Sequence, residues 1–390
     1  MHDIREKRRR TTALLLSLPL FGSFAALPAR ARSNGTATAT GIDEAVTRAA
    51  AIYMNDARSV GLSVGVIQGA TTRSHHAGSI SKQRRELPND RTIYPIASLT
   101  KTFTGTLLAQ AQIEGKLKLD DDIRKYLDGD YPNLAFEQQP ILIHHLVNHV
   151  SGLPRLLPDK PEASPTFQSA IPYPQRLHAL VAATTRADFY AGLHRVKLTA
   201  PPGTHFQYSN AAAQLGGHIL ERVYGSDFET LVARRIAAPL GMQDTFINPT
   251  AQQRQRYVDG HDETGNVQPY FPVQSEAAGA LKSTLADMLA YAHWHLAEQD
   301  PAVRLSHRPM DRDGAYTAGL NWQIVSQGGR RVLFQDGSHP GFACLLVLHP
   351  DSGIAVVLLS NEIDSSTMEG LRVLANGIAG ALDENVLKVP

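Results

Sequence analysis

The strand-like runs of this 390-residue chain gather near its two ends, and helical patterns fill the middle. Leu62-Ser63-Val64-Gly65-Val66-Ile67 and the segment 72–80 read as the two strands of a hairpin. Toward the other end, 319–325, 331–335, 341–349 and 354–360 read as strands, with Asp351-Ser352-Gly353 as a hairpin turn. Helical patterns over 42–58 and 367–382 flank these runs. Such an order fits one sheet built from both ends of the chain, with a helical insertion between them. The implied fold class is α/β of the α+β kind: an antiparallel sheet flanked by N- and C-terminal helices, with a mostly helical domain inserted. The sheet domain then takes two segments, 42–95 and 275–390, and the helical domain takes 96–274.

Hydrophobic residues make up 43% of the chain, enough for a large core, and the formal net charge is +1. A charge so near zero points away from nucleic acid and from any wide anionic partner. The solitary Cys344 falls in the apolar run 342–348, where it has no internal disulfide partner and packs as a small hydrophobe.

Residues 1–31 read as a signal peptide. Arg5, Lys7, Arg8, Arg9 and Arg10 form a basic start, and 13–27 is an apolar stretch broken by Pro19 and too short to span a bilayer comfortably. Ala29-Arg30-Ala31 then offers a small-residue cleavage site. The rival reading is an uncleaved membrane anchor. The arginine pair suggests a twin-arginine route while Thr12 stands where an apolar residue is usual, so both export routes stay open. Residues 32–41 read as a linker. The expected location is periplasmic or extracellular, with no stable membrane insertion after cleavage.

Chemistry concentrates around Ser98-Leu99-Thr100-Lys101. Leu99, Phe103, Leu107 and Ala111 recur every fourth residue and Gly115 supplies a stop, so Ser98 sits at or near a helix start. There its amide is an unpaired first-turn donor and its hydroxyl lies at the positive end of the helix dipole. Lys101, three residues on, shares a face with that hydroxyl, as an amine assisting a nucleophilic serine must. Spacing alone is weak evidence: Ser79-Ile80-Ser81-Lys82 has it too, but no amphipathic helix follows it. Tyr208-Ser209-Asn210 follows the turn Pro201-Pro202-Gly203 and heads the helical pattern 211–223. Two other Tyr-x-Asn copies, at Tyr53 and Tyr131, lie in a helix and at a proline turn. Three histidines, His144, His145 and His149, fall in one short stretch without a companion Cys, Asp or Glu, which favours structural roles over a metal site. Asp120-Asp121-Asp122 lacks the spaced oxygen ligands of a calcium loop and reads as a capping turn.

Taken together, these stretches resemble the serine β-lactamase and penicillin-binding-protein superfamily, in its class C-like branch of β-lactamases, D-amino peptidases, DD-carboxypeptidases and esterases. The carrying residues are Ser98 to Lys101, 115–122, Leu146-Val147-Asn148-His149-Val150-Ser151-Gly152-Leu153, Pro202-Gly203 through Tyr208-Ser209-Asn210, 278–284, and Asp336-Gly337-Ser338-His339-Pro340-Gly341-Phe342. They occur in the family's order and span about 43–385. The resemblance implies a β-lactamase/transpeptidase-like fold and acyl transfer through an acyl-serine. Ser98 would be the nucleophile, with Lys101 and Tyr208 sharing its proton and the backbone N–H groups of Ser98 and Ser338 holding the oxyanion. Asn210 would donate to the substrate amide or to Lys101. The third family motif, Lys-Thr-Gly or His-x-Gly, is where this chain departs. Anchoring on Gly341-Phe342 and Pro350 puts Gln335-Asp336-Gly337 there, so a neutral Gln335 replaces the motif's cation. Gln335, Gly337 and His339 are the expected substrate contacts beside Asn210.

The loss of that cation suggests a preference for neutral esters or amides, unless Arg330, Arg331 or His339 restores the charge. No metal or cofactor is implied, and the expected partner is a small-molecule or peptide substrate. The rival from another class is a non-catalytic penicillin-binding-like protein that recognises cell-wall peptides. A Ser-His-Asp hydrolase would need a G-x-S-x-G elbow, and no serine here sits in one.

Overall fold

The computed structural model describes residues 39–390 apart from 161, 163, 165, 172, 271–275 and 314–315. The signal-peptide reading of 1–31 and most of the linker therefore lie outside the described residues. Among the described residues, no helix is long and apolar enough to cross a membrane.

The two ends of the chain meet in one antiparallel sheet. Its strands are β1 (Gly61–Gln68), β2 (Thr71–Gly78), β5 (Asp311–Asp313), β6 (Tyr316–Ala318), β7 (Gln323–Gln327), β8 (Arg330–His339), β9 (Phe342–His349) and β10 (Ile354–Ser360). They run in the order β2-β1-β10-β9-β8-β7-β6-β5. The pairing of β1 with β10, Val64 opposite Leu358, joins the N-terminal hairpin to the C-terminal meander. Two further short strands, β3 (Ile93–Pro95) and β4 (Lys282–Thr284), pair apart from this sheet.

Both faces of the sheet are covered, which is why β9 and β10 read as unbroken apolar runs. Side chains alternate between the faces. On one face Leu62, Val64, Leu345 and Val356 pack against helices α1 (Ala39–Met54) and α8 (Thr367–Leu382), through Ile42, Val46, Leu371, Leu374 and Ile378. On the other, Leu333, Leu346 and Val357 join a larger core with Phe103 and Leu107 of α2 (Thr100–Ile113) and Leu285 and Met288 of α7 (Leu285–Ala297). That core continues into the helical middle, which includes α3 (Ile143–Val147), α4 (Tyr173–Ala182), α5 (Arg186–Leu193) and α6 (Asn210–Tyr224).

Three local readings change. The small-residue stretch 277–284 is a one-turn helix followed by β4, because its carbonyls and amides are taken up by neighbours; Lys282, for example, exchanges both backbone bonds with Phe246. The stretch 319–325 is a turn leading into β7 rather than one strand. Strand β8 runs on to His339, well past residue 335.

Candidate active site

Helix α2 is entered through a single 3₁₀ turn, Ala97–Leu99, that carries Ser98. Ala97 just before it has a left-handed backbone (φ 43°), a conformation that costs an alanine about 1 kcal/mol or more and recurs where the fold must aim a side chain. The turn lies beside the edge of β8. Strand β7 pairs with β8 only as far as Phe334, opposite Gln323, so residues 335–339 keep a partner on the β9 side alone. Their other edge borders the serine.

Contact there is tight. A Cβ built on Gly337 would stand 2.7 Å from the Ser98 amide nitrogen, 2.9 Å from Cys344 Sγ and 3.1 Å from the Ala97 Cβ. Glycine is what lets the strand approach the serine amide this closely. Cys344 is fully buried behind it, its Sγ 3.1 Å from the Ile96 carbonyl.

Tyr208 arrives from the far side. The Gly203 amide bonds the Val150 carbonyl (2.7 Å) and the Gln207 amide bonds the His149 carbonyl (2.7 Å), which fastens the turn 203–207 to the end of the α3 segment. Ser209 caps α6, its Oγ accepting from the Ala212 amide (2.9 Å) and donating to the Pro154 carbonyl (2.6 Å). His149 completes the mount: its Nδ1 accepts the Ser209 N–H (3.2 Å) and its ring lies 4.4 Å from the Tyr208 ring, centroid to centroid.

These elements bring three side chains together. Ser98 Oγ is 2.7 Å from Tyr208 Oη, and Lys101 Nζ is 3.0 Å from Ser98 Oγ. Lys101 also donates to the Ala278 carbonyl at 2.6 Å. Ser98 and Tyr208 are only half-buried, whereas Lys101 is fully buried. A carbonyl carbon can therefore reach the hydroxyl from the cleft while the amine stays behind it, out of water. Asn210 lines the same cleft.

Electrostatics favours proton movement from serine to lysine. Burial, aided by the Arg155 charge, holds the Lys101 amine well below its usual range, which favours its free-base form. A free amine has a lone pair to turn toward the serine hydroxyl while one of its N–H bonds stays on Ala278. Burial also pushes the Tyr208 phenol up to about 12, against the opposing pull of the Ser98 hydrogen bond and Arg155. Tyr208 is thus a phenol at neutral pH, suited to relaying a proton rather than removing one by itself. Burial takes the His149 imidazole down to about 3, with the Lys101 charge acting in the same direction, and takes His339 down to about 4. Both rings are neutral near pH 7.

The cleft holds about 290 Å3, and Ser338, Gly337, His339 and Asp336 form its sheet-edge wall. Asp336 is paired with Arg372 at 2.7 Å. His339 Nε2 lies 2.7 Å from the Gly279 carbonyl, so this nitrogen carries the ring proton. Gln335 is the correction among the expected substrate contacts: it is 4% exposed, and the cleft wall begins one residue later, at Asp336. It points to the Gly337 face of β8, below the opening. Arg330 pairs with Asp383 and Arg331 with Glu298, so neither supplies charge here. Arg155 is a site residue that no motif or spacing pointed to. Its guanidinium carbon lies 5.6 Å from the centroid of the Tyr208 ring on the wall shared with Leu177 and Asn210, and it has no ion-pair partner among the described residues.

The three histidines part company. Helix α3 stops at Val147 and His149 takes a left-handed backbone (φ 58°), so it turns to Tyr208 instead of sharing a helix face with His145. His144 Nδ1 meets Asp311 Oδ2 (2.9 Å), and His145 Nδ1 accepts the Leu142 N–H (3.1 Å). Ligand atoms of His144, His145 and Asp311 lie within 4.8 Å of one another. The His144–Asp311 bond fastens α3 to β5, and the His145 bond closes the first turn of α3 itself.

A sheet-edge serine with a buried lysine behind it and a phenol beside it is the arrangement of a serine acyl-transfer enzyme. The β-lactamase family model matches residues 45–375, and the chain belongs to that family of serine hydrolases, within the serine β-lactamase and penicillin-binding-protein superfamily. It is similar to the β-lactamase of Pseudomonas fluorescens, at 26% identity over 387 residues covering 89% of this chain and 100% of that one. It is also similar to the D-alanyl-D-alanine-carboxypeptidase/endopeptidase AmpH of Escherichia coli (strain K12), at 25% identity over 345 residues, covering 84% and 85%. Among solved structures, a β-lactamase/D-alanine carboxypeptidase from Yersinia pestis complexed with citrate has a TM-score of 0.75 at 23% identity, covering 88% of this chain and 100% of that one. A class C β-lactamase gives 0.73 at 21%, covering 88% and 97%. The fold is theirs.

Proposed function

We propose that this protein is an exported serine hydrolase that cleaves an ester or amide through an acyl-serine intermediate. The observation that carries the reading is the half-open Ser98 Oγ held at 3.0 Å from a buried amine and 2.7 Å from a phenol. Ser98 attacks the carbonyl carbon, its proton passes to Lys101, and the Ser98 and Ser338 amides face the developing oxyanion. Tyr208 hands a proton to the departing oxygen or nitrogen. Water then attacks the acyl-enzyme by the reverse proton path and frees Ser98. Export is supported by the basic and apolar character of residues 5–27. The relatives bear the names of β-lactamases and of a D-alanyl-D-alanine-carboxypeptidase/endopeptidase, which supports an acyl substrate of ester, lactam or peptide type.

Within that class we assign a preference for uncharged substrates. The sheet-edge wall offers no cation: Gln335 is neutral and buried, His339 is held neutral, and Asp336 is matched by Arg372. Arg155 is a cleft cation, but it stands on the opposite wall over the Tyr208 ring, where its charge favours an ionised phenol and a free lysine amine. A charge-assisted hydrogen bond to a substrate carboxylate contributes about 1.5–3 kcal/mol, so its absence at the sheet edge is roughly a ten- to hundredfold handicap for anionic substrates. A short-chain nitrophenyl ester should accordingly be turned over faster than a chromogenic cephalosporin. Arg155→Gln should slow both and shift the rise of kcat/KM to higher pH. Faster cephalosporin turnover that Arg155→Gln selectively abolishes would show instead that Arg155 receives the carboxylate.

A further inference from the structure

Side chains on β8 alternate between the two faces of the sheet, and Val332 and Phe334 take the α8 face, where they share a core with Leu371 and Leu374. Asp336 is the next residue on that face. It lies beyond Phe334, the last residue paired with β7, and it lines the catalytic cleft together with Met368 of α8. The residue after it, Gly337, is the one packed against the Ser98 amide.

Arg372 stands one helical turn after Met368, on the same side of α8. Its Nη2 donates to Asp336 Oδ2 at 2.7 Å, while its Nη1 lies 3.8 Å from Glu369 Oε2, too far for a hydrogen bond. Helix α8 therefore brings a guanidinium to the sheet edge, and a carboxylate of the chain itself is already on it. The pair is open to solvent: the Asp336 side chain is 26% exposed and that of Arg372 is 28%. The Asp336 charge also reaches the reacting groups, since it opposes the fall of the Lys101 amine and adds to the rise of the Tyr208 phenol.

We infer that Asp336 determines the charge specificity of the cleft: its carboxylate fills the place beside Arg372 that a substrate carboxylate would otherwise take, and so excludes acidic substrates. This goes beyond the neutral Gln335, because a cation does stand behind the sheet edge and is spent inside the protein. A guanidinium that already holds one carboxylate has little to offer a second, and the incoming anion also meets the Asp336 charge at close range. The inference rests on the hydrolase reading above for the identity of the ligand as substrate.

A chromogenic cephalosporin and its methyl ester form a matched pair that differs by one charge. The wild type should favour the ester. Asp336→Ala leaves Arg372 a carboxylate-sized place and should raise the acid-to-ester ratio of kcat/KM roughly ten- to hundredfold, the range of a charge-assisted hydrogen bond. Adding Arg372→Met should cancel that gain. Arg372→Met alone leaves the Asp336 charge unanswered and should lower the ratio roughly threefold or more, a test that does not depend on Asp336→Ala folding. Arg155, on the facing wall, is common to all these variants. An unchanged ratio in Asp336→Ala, a gain that survives Arg372→Met, or a ratio that fails to fall in Arg372→Met alone would overturn the assignment. Calorimetry of the same pair on Ser98→Ala, with and without Asp336→Ala, reads the ratio as affinity. A wild type that turns over neither compound, while this affinity ratio still rises with Asp336→Ala, would refute the hydrolase reading and leave the Asp336 assignment standing. Turnover of both at a ratio that Asp336→Ala does not move would do the reverse.

Discussion

Lys101→Met is expected to lower kcat/KM by roughly a thousandfold or more, the range lost when a positioned general base is removed. Methionine fills the same buried channel without an amine. The Ala278 carbonyl loses its donor, a cost of about 1–3 kcal/mol, but the desolvation of a buried amine is removed as well, so the melting temperature should move by only a few degrees. The pH profile separates this role from a structural one. In the wild type the base works when the amine is unprotonated, so activity rises with pH and levels off well below the ordinary lysine value of 10.5. Neither His149 nor His339 should contribute a limb at the usual histidine value of 6.5, since burial has pushed them down to about 3 and about 4. In Lys101→Met the lysine limb should vanish. A variant that kept wild-type kcat/KM or the same pH limb would remove Lys101 from the mechanism.

Gly337→Ala should be nearly as damaging, for a steric reason. The new methyl meets the Ser98 amide at 2.7 Å and Cys344 Sγ at 2.9 Å, and neither the sheet nor the 3₁₀ turn has a flexible group to withdraw. Overpacking of this kind costs about 1–3 kcal/mol of stability. Displacing the amide from the oxyanion position should cost roughly a hundredfold or more in kcat. Gly337→Ala with Cys344→Ala relieves one of the two contacts. The double variant should regain part of the lost melting temperature and little of the lost activity. Full activity in Gly337→Ala would mean that the Ser98 amide does not serve the reaction.

The fold was legible wherever a local pattern carried it. The helices that became α2, α6, α7 and α8 showed their periods, and β9 and β10 showed the apolar runs of strands covered on both faces. Strands β3, β4, β5 and β6 were not legible, because three-residue strands leave no alternation and depend on partners distant in sequence. Ser98, Lys101 and Tyr208 were nameable because each sits at the head of a helix that the sequence announces. Arg155 was not, since one arginine after Gly-Leu-Pro looks like any exposed cation until the Tyr208 ring is placed beneath it. The contact of His149 with the phenol was hidden for a related reason: it depends on the early end of α3, which frees the ring from that helix. Gln335 was located correctly in β8 but not in depth, because position along a strand does not tell where a cleft floor lies.

The most direct measurement is intact-protein and peptide mass spectrometry after exposure to a fluorophosphonate that reacts only with activated serines. One adduct per chain, on Ser98, with none on Ser98→Ala and much slower labelling of Lys101→Met, is the predicted result. An adduct that persists in Ser98→Ala, or labelling of Lys101→Met at the wild-type rate, would contradict a nucleophile at residue 98 driven by the buried amine.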